Sequence, residues 1–120
     1  MDRLAAHFWE GCAAGELRYQ RCGSCAALQT YAREFCRHCG AADLEWRTAH
    51  GSGVVYALTR VERAPSDEYR SLAPYFILLV DLDEGYRMMA HGAPGLAIGE
   101  RVRVRFFKHD GRHLPRFERA

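Results

Sequence analysis

Two cysteine pairs, Cys22-Gly-Ser-Cys25 and Cys36-Arg-His-Cys39, constrain this chain more than any other feature, with ten residues between them. A two-residue gap lets both sulfurs of one tight turn reach the same metal, and four thiolates satisfy a tetrahedral zinc ion. Gly40 directly follows the second pair, where the backbone of such a knuckle often turns left-handed. The pattern predicts a rubredoxin-like zinc ribbon with Cys22, Cys25, Cys36 and Cys39 as ligands and structural Zn2+ as the cofactor. Four protein ligands leave no open position for water or substrate, so the metal is expected to be structural rather than catalytic. Two disulfides are the bland alternative, and they require an oxidising compartment. Met1–Gly15 reads as neither a basic-then-apolar leader nor a cleavage site, and the expected compartment is the cytoplasm. A redox Cys-x-x-Cys site normally comes as a single pair beside a βαβ unit. Cys12, the fifth cysteine, stands at helical spacing from Leu4 and Phe8 and reads as a small buried residue. His38, inside the second knuckle, is not needed as a ligand.

A chain of 120 residues with 48% hydrophobic content is long enough to bury a core. Its formal net charge of +2 falls short of the strongly basic balance of a dedicated nucleic-acid module. No apolar run reaches the length needed to span a bilayer, so no membrane association is expected.

Along the chain, Leu4, Phe8 and Cys12 recur on one face, with Trp9 and Ala13 beside them. Asp2 is a plausible N-cap and Gly15 a C-terminal stop, predicting an amphipathic helix over about residues 3–14. Its apolar face either packs on its own domain or carries Phe8 and Trp9 to a partner, and the sequence leaves both open. Short strands are expected at 17–21, 28–31 and 44–47 around the knuckles. The glycine-rich stretch Thr48-Ala-His-Gly-Ser-Gly53 is read as the domain boundary. This divides the chain into a helix (1–15), a zinc ribbon (16–50) and a β domain (51–120).

The β domain reads as strands at 54–62, 75–82, 86–91, 101–107 and 114–119. Asp83-Glu-Gly85 and Asp110-Gly111 serve as turns. Val102, Val104 and Phe106 alternate with Arg101, Arg103 and Arg105, the period-two signature of a strand with one dry and one wet face. Five strands in this span suit a Greek-key barrel of the OB type, with the usual linking helix reduced to Ala93–Gly99; a short sandwich is the alternative. The expected fold class is therefore mostly β: an N-terminal helix, a zinc ribbon and a C-terminal five-stranded OB-fold barrel.

Several strings carry a family resemblance. They are His7-Phe-Trp-Glu-Gly11, Gly15-Glu-Leu17, Gln20-Arg-Cys22, the two knuckles, Asp43-Leu-Glu-Trp46, Gly53-x-Val55-Tyr56, Ala64-Pro65, Pro74-Tyr75, Asp81-Leu-Asp-Glu-Gly85, Ile98-Gly99 and Val102-x-Val104-x-Phe106. In this order they resemble the zinc-ribbon/OB-fold accessory proteins of acyl-CoA enzymes, once catalogued as a domain of unknown function. The resemblance runs from about Phe8 to Phe117. It implies a small non-catalytic subunit whose larger partner is a thiolase-fold enzyme: a thiolase, a hydroxymethylglutaryl-CoA synthase, an acyltransferase, or a retro-aldol lyase of steroid side-chain breakdown. It also implies a barrel near the partner's active-site mouth that shapes the acyl-CoA channel, in a hetero-oligomer built around the partner's dimer. Two departures stand out. Tyr31-Ala-Arg33 occupies the place of a common Pro-Pro-Arg, and Ala26 that of a common glycine after the first knuckle.

No catalytic motif is present: there is no Gly-x-Ser-x-Gly elbow, phosphate-cradling glycine loop or His-Glu-x-x-His. The binding surface is expected at the barrel's rim. There Arg63, Tyr69 and Arg70 in the long loop from Arg63 to Pro74, with Lys108, His109 and Arg112 in the loop expected from Lys108 to His113 between the last two strands, are the candidates for contact with coenzyme A. Phe8, Trp9, Tyr75 and Phe76 are the candidates for docking the partner. The runner-up function is a single-stranded nucleic-acid binder, using Tyr56, Tyr75, Phe106 and Phe107 as stacking platforms beside the arginine-rich strand.

Overall fold

A computed structural model describes residues 3–63 and 67–120, with the side chains of residues 3, 4, 68 and 69 left aside. Asp2 and the Ala64-Pro65 step of the long loop lie outside the described residues, as does the Tyr69 side chain. Helix α1 spans Arg3–Ala13. It ends as its sequence predicts: the N–H of Glu16 reaches the Gly11 carbonyl at 2.7 Å and that of Gly15 the Cys12 carbonyl at 3.1 Å. This paired closure needs a left-handed residue, and Gly15 supplies it at φ +79°.

The ribbon is a three-stranded sheet of β1 (Leu17–Cys22), β2 (Leu28–Gln29) and β3 (Leu44–Ala49), in the order β2-β1-β3. Both pairings are antiparallel. Strand β2 stops short of the expected Tyr31 because Thr30 turns toward the barrel, where its Oγ1 donates to the Arg87 carbonyl at 3.0 Å.

The remaining strands are β4 (Ser52–Val61), β5 (Tyr75–Leu82), β6 (Arg87–Gly92), β7 (Arg101–His109) and β8 (Arg112–Arg119). They close into a barrel in the order β4-β5-β6-β8-β7, with β7 returning to β4. Closure excludes the sandwich. All pairings are antiparallel except β6 with β8, joined in parallel at His91↔Arg116 and Gly92↔Phe117. Between β6 and β7 the chain makes only turns over 93–100, as expected of a lost linking helix. It is tied down by Ala93 N–H to Phe117 O and Gly99 N–H to Val55 O.

The barrel core holds Val55, Leu78, Val80, Val102 and Phe117, each at most 1% exposed. Burying side chains of this size stabilises by roughly 1.5–3 kcal/mol each. The same cluster continues into the ribbon through Tyr86, Tyr19 and Leu17. Tyr19 and Tyr86 stack with ring centroids 4.6 Å apart and planes at 25°. The stretch Thr48–Gly53 is strand on both sides of His50 and Gly51. Among the described residues, no helix is long and apolar enough to cross a membrane.

Candidate metal centre and ligand clefts

The two knuckles bring the sulfurs of Cys22, Cys25, Cys36 and Cys39 within 4.8 Å of one another. Cys22 and Cys39 are 3.6 Å apart at Sγ, as are Cys25 and Cys36. A tetrahedral zinc with Zn–S bonds of about 2.3 Å sets its sulfurs about 3.8 Å apart. Disulfides require about 2.05 Å, and all five cysteines are free thiols. Backbone N–H groups aim at the sulfurs: Ser24 and Cys25 at Cys22 Sγ (3.4 and 3.5 Å), His38 and Cys39 at Cys36 Sγ (3.3 and 3.4 Å). Such donors favour thiolate, and the N–H of Cys39, joined by that of His38, draws the Cys36 thiol down to about 6. The donor set fits zinc. Bound there, zinc supplies a four-way crosslink to a ribbon too small to hold itself. Burial pushes the Cys12 thiol up to about 12, the mark of an inert packed residue.

One signal outside the cysteines escaped the sequence reading. Gln20 and Gln29, buried at 3% and 4% exposure, pair across β1 and β2 with Gln29 Nε2 donating to Gln20 Oε1 at 2.8 Å. They also hold the inter-knuckle segment: Gln20 Nε2 donates to Arg33 O, while Arg33 N–H and Arg37 N–H donate to the two glutamines' Oε1 atoms. Buried amides need such partners, but a glutamine in sequence normally reads as surface.

The structure sorts the other candidate residues. Phe8 packs against the core and meets Trp9 edge-on at 5.0 Å, and the Arg112 guanidinium lies 4.6 Å from the Trp9 ring centre. The helix thus spends much of its apolar face on β1 and β8 of its own chain. Phe8, Trp9, Arg63 and Tyr75 converge on a cleft of about 670 Å³, walled by α1, by Thr30–Ala32 of the ribbon, and by the β5–β6 side of the barrel. Its mouth exposes Tyr31 (61%) and Met89 (53%). Arg70 stands apart on the short 3₁₀ helix Asp67–Leu72, paired with Asp67 in solvent. Lys108, His109 and Arg112 prove to be strand residues, because β7 and β8 run on until only Asp110 and Gly111 join them. The exposed Lys108 stands in register with His113, and His109 Nε2 lies 3.3 Å from Asp110 Oδ2. Phe76 belongs to a second cleft of about 500 Å³, which adjoins the first through Tyr75 and His91. Arg60, Phe107 and Arg116 line that second cleft, and of these the sequence reading had noted only Phe107. The signal for Arg116 was its place in the Arg112, Leu114, Arg116 face of β8, which has meaning only once the partner strands are known. Tyr56, an expected stacking platform, sits at a bulge in β4 with the Arg87 guanidinium 3.4 Å from its ring centre.

Comparison with known proteins agrees with this architecture. Residues 9–45 match the family described as the ChsH2 rubredoxin-like zinc ribbon domain, and residues 46–107 the ChsH2 C-terminal OB-fold domain. The chain is 31% identical over 91 residues to a protein of Thermomonospora curvata named "Probable enoyl-CoA hydratase alpha subunit", covering 76% of this chain and 28% of that protein. It is 35% identical over 69 residues to a "DUF35 domain-containing scaffold protein" of Methanocaldococcus jannaschii, covering 57% of this chain and 48% of that one. The chain therefore spans less than half the length of either curated relative. A chain in the solved structure called "Ltp2-ChsH2(DUF35) aldolase" superposes with a TM-score of 0.85 at 30% identity, covering all of this chain and 97% of that one. A DUF35 protein of unknown function from Sulfolobus solfataricus shares the fold, with a TM-score of 0.70 at 18% identity and coverage of 100% and 87%. By both of its matched regions, the chain belongs to the ChsH2 family, with that family's zinc ribbon followed by its OB-fold domain.

Proposed function

We propose that this protein is a non-catalytic accessory subunit, working in the cytoplasm, that docks on a thiolase-fold acyl-CoA enzyme and completes the wall of its acyl-CoA channel. The observation that carries the reading is the full-length likeness to a chain of the Ltp2-ChsH2(DUF35) aldolase. The names of the two curated relatives, a hydratase subunit and a scaffold protein, point to the same kind of role. The chain's own residues are consistent with it. OB barrels bind ligands on the face of their second and third strands. Here that face, β5 and β6, opens into the apolar cleft, roomy enough for an acyl chain. Tyr31 and Met89 at its mouth, with Phe35 (56% exposed) in the same inter-knuckle segment, offer apolar contacts to a partner. The zinc crosslink serves this role by stiffening the ribbon that carries Tyr31 and Phe35.

The nucleic-acid reading is less well supported. Helix α1 and Thr30–Ala32 wall the face along which a strand would run, and Tyr56 is covered by Arg87. The isolated protein is expected to turn over no acyl-CoA thioester, and co-expression with a thiolase-like enzyme encoded beside it is expected to yield a co-purifying complex. Turnover by the chain alone, or failure to co-purify with any thiolase-fold protein, would overturn the proposal.

A further inference from the structure

The four sulfurs of the ribbon are not alike. Cys22 and Cys36, the first of each knuckle, are buried, whereas Cys25 and Cys39, the second of each, reach the surface. The two buried sulfurs each face two backbone N–H groups, from Ser24 and Cys25 and from His38 and Cys39. The two outer sulfurs each face one, from Ala27 and from Ala41. Hydrogen bonds spread a thiolate's charge and temper its attack on an electrophile, so the outer pair is both more accessible and more reactive.

The closest contacts join an outer sulfur of one knuckle to the buried sulfur of the other. Cys25 Sγ lies 3.6 Å from Cys36 Sγ, and Cys39 Sγ lies 3.6 Å from Cys22 Sγ. An accessible thiolate with a second sulfur in reach behind it is the arrangement of a redox-sensitive cysteine and its resolving partner. A disulfide at either place needs a closure of only about 1.5 Å, to an S–S bond of about 2.05 Å. In a reducing compartment such bonds are transient and serve to sense oxidants. Cys12, buried and outside the cluster, takes no part.

We propose that the ribbon's sulfur cluster is a site of oxidative modification by hydroperoxides, with Cys25 and Cys39 as attacking thiolates and Cys36 and Cys22 as their resolving partners, ending in two disulfides that cross between the knuckles. At each pair the outer thiolate attacks one oxygen of hydrogen peroxide. The O–O bond breaks, an S–O bond forms, and hydroxide leaves. The buried thiolate then attacks that sulfur, forming the S–S bond and breaking the S–O bond, and a second hydroxide leaves. Over both pairs, four thiolates give four electrons to two peroxide molecules, four protons from solvent turn the hydroxides into water, and the metal is released as Zn2+. The bond between Cys25 and Cys36 closes into a loop the segment that carries Tyr31 and Phe35.

The test treats the zinc-loaded 120-residue chain with about two equivalents of hydrogen peroxide. A zinc-sensitive chromophore is expected to report about one Zn2+ released per chain, and a thiol reductant with added zinc to restore the bound state. With excess dimedone present, the sulfenic acid is expected on Cys25 and Cys39. Trypsin cuts after Arg21, Arg33, Arg37 and Arg47. Crossed disulfides join residues 22–33, 34–37 and 38–47 into one three-peptide species, and fragmentation between Cys22 and Cys25 is expected to find Cys36 on Cys25. Two covalent links hold the knuckles together without metal, so the oxidised chain is expected to keep dispersed amide resonances over residues 22–44, unlike the chelated protein. The proposal is wrong if zinc stays bound under excess peroxide, or if dimedone marks Cys22 or Cys36. It is wrong if each knuckle closes on itself, leaving a looped 22–33 peptide beside a joined pair of 34–37 and 38–47. Collapse of the ribbon resonances on oxidation would overturn it as well. Cys12→Ala is expected to release zinc as fast as the unmodified chain; a slower release would move the attack to Cys12 and refute the assignment.

Discussion

Ala26 holds a backbone conformation that its side chain disfavours. It stands at φ +66°, and Gly40, at the same place in the second knuckle, at φ +80°. The two knuckles close alike, with Ala26 N–H to Cys22 O at 2.9 Å and Gly40 N–H to Cys36 O at 2.8 Å. The metal-binding turn dictates the conformation, and an L-residue with a Cβ is strained there by about 1 kcal/mol or more. Ala26→Gly should therefore raise the stability of the zinc-loaded protein by about 0.5–1 kcal/mol, since glycine returns part of the gain as chain entropy. Thermal melts of the two proteins check this, and a lower midpoint for the variant would refute it. That strain was half legible: the sequence marks Ala26 as a departure, while its φ belongs to the folded turn. The Gln20–Gln29 clamp was not legible, because two amides nine residues apart acquire partners only when β1 and β2 pair at that register.

At the scale of elements, local chemistry spoke most clearly where one face is dry and the other wet. The alternation Val102, Val104, Phe106 against Arg101, Arg103, Arg105 became β7, with Val102 fully buried and the arginines exposed. Asp110-Gly111, with φ +50° and +78°, makes the tight hairpin turn such a pair favours. The ribbon is the opposite case. One of its strands has two residues, and its order depends on four cysteines of which only Cys22 belongs to a strand, as the last residue of β1. Zinc analysis should find one ion per chain. Removing it with a strong chelator should broaden or collapse the amide resonances of residues 22–44, because such ribbons fold only around their metal. A chelated protein whose ribbon resonances stay sharp and dispersed would contradict a structural zinc.

Across the whole molecule, ribbon and barrel are packed as one body rather than merely strung together. Leu17 and Tyr19 lie in the same buried cluster as Leu78, Tyr86 and Phe117, and the Tyr19–Tyr86 stack crosses the junction. Tyr19→Ala should cost about 3 kcal/mol or more and lower a single cooperative unfolding transition. Calorimetric melts showing two separate transitions in the unmodified protein would show that the shared core does not couple the parts. The candidate residues also separated at this scale. Phe8, Trp9, Arg63 and Tyr75 came together at one cleft, while Arg70 stayed on an outlying 3₁₀ helix in solvent. By itself the sequence determined the metal ligands, the helix and its stop, and nearly every strand, because spacing, periodicity and turn chemistry act between residues close along the chain. Only the tertiary structure decided that β6 lies parallel to β8, that α1 packs on β1 and β8 and walls a cleft beside the β5–β6 side of the barrel, and that Arg116 stands in register with His91. Those facts come from pairings between segments far apart in sequence, where a neighbour's identity depends on how the barrel closes.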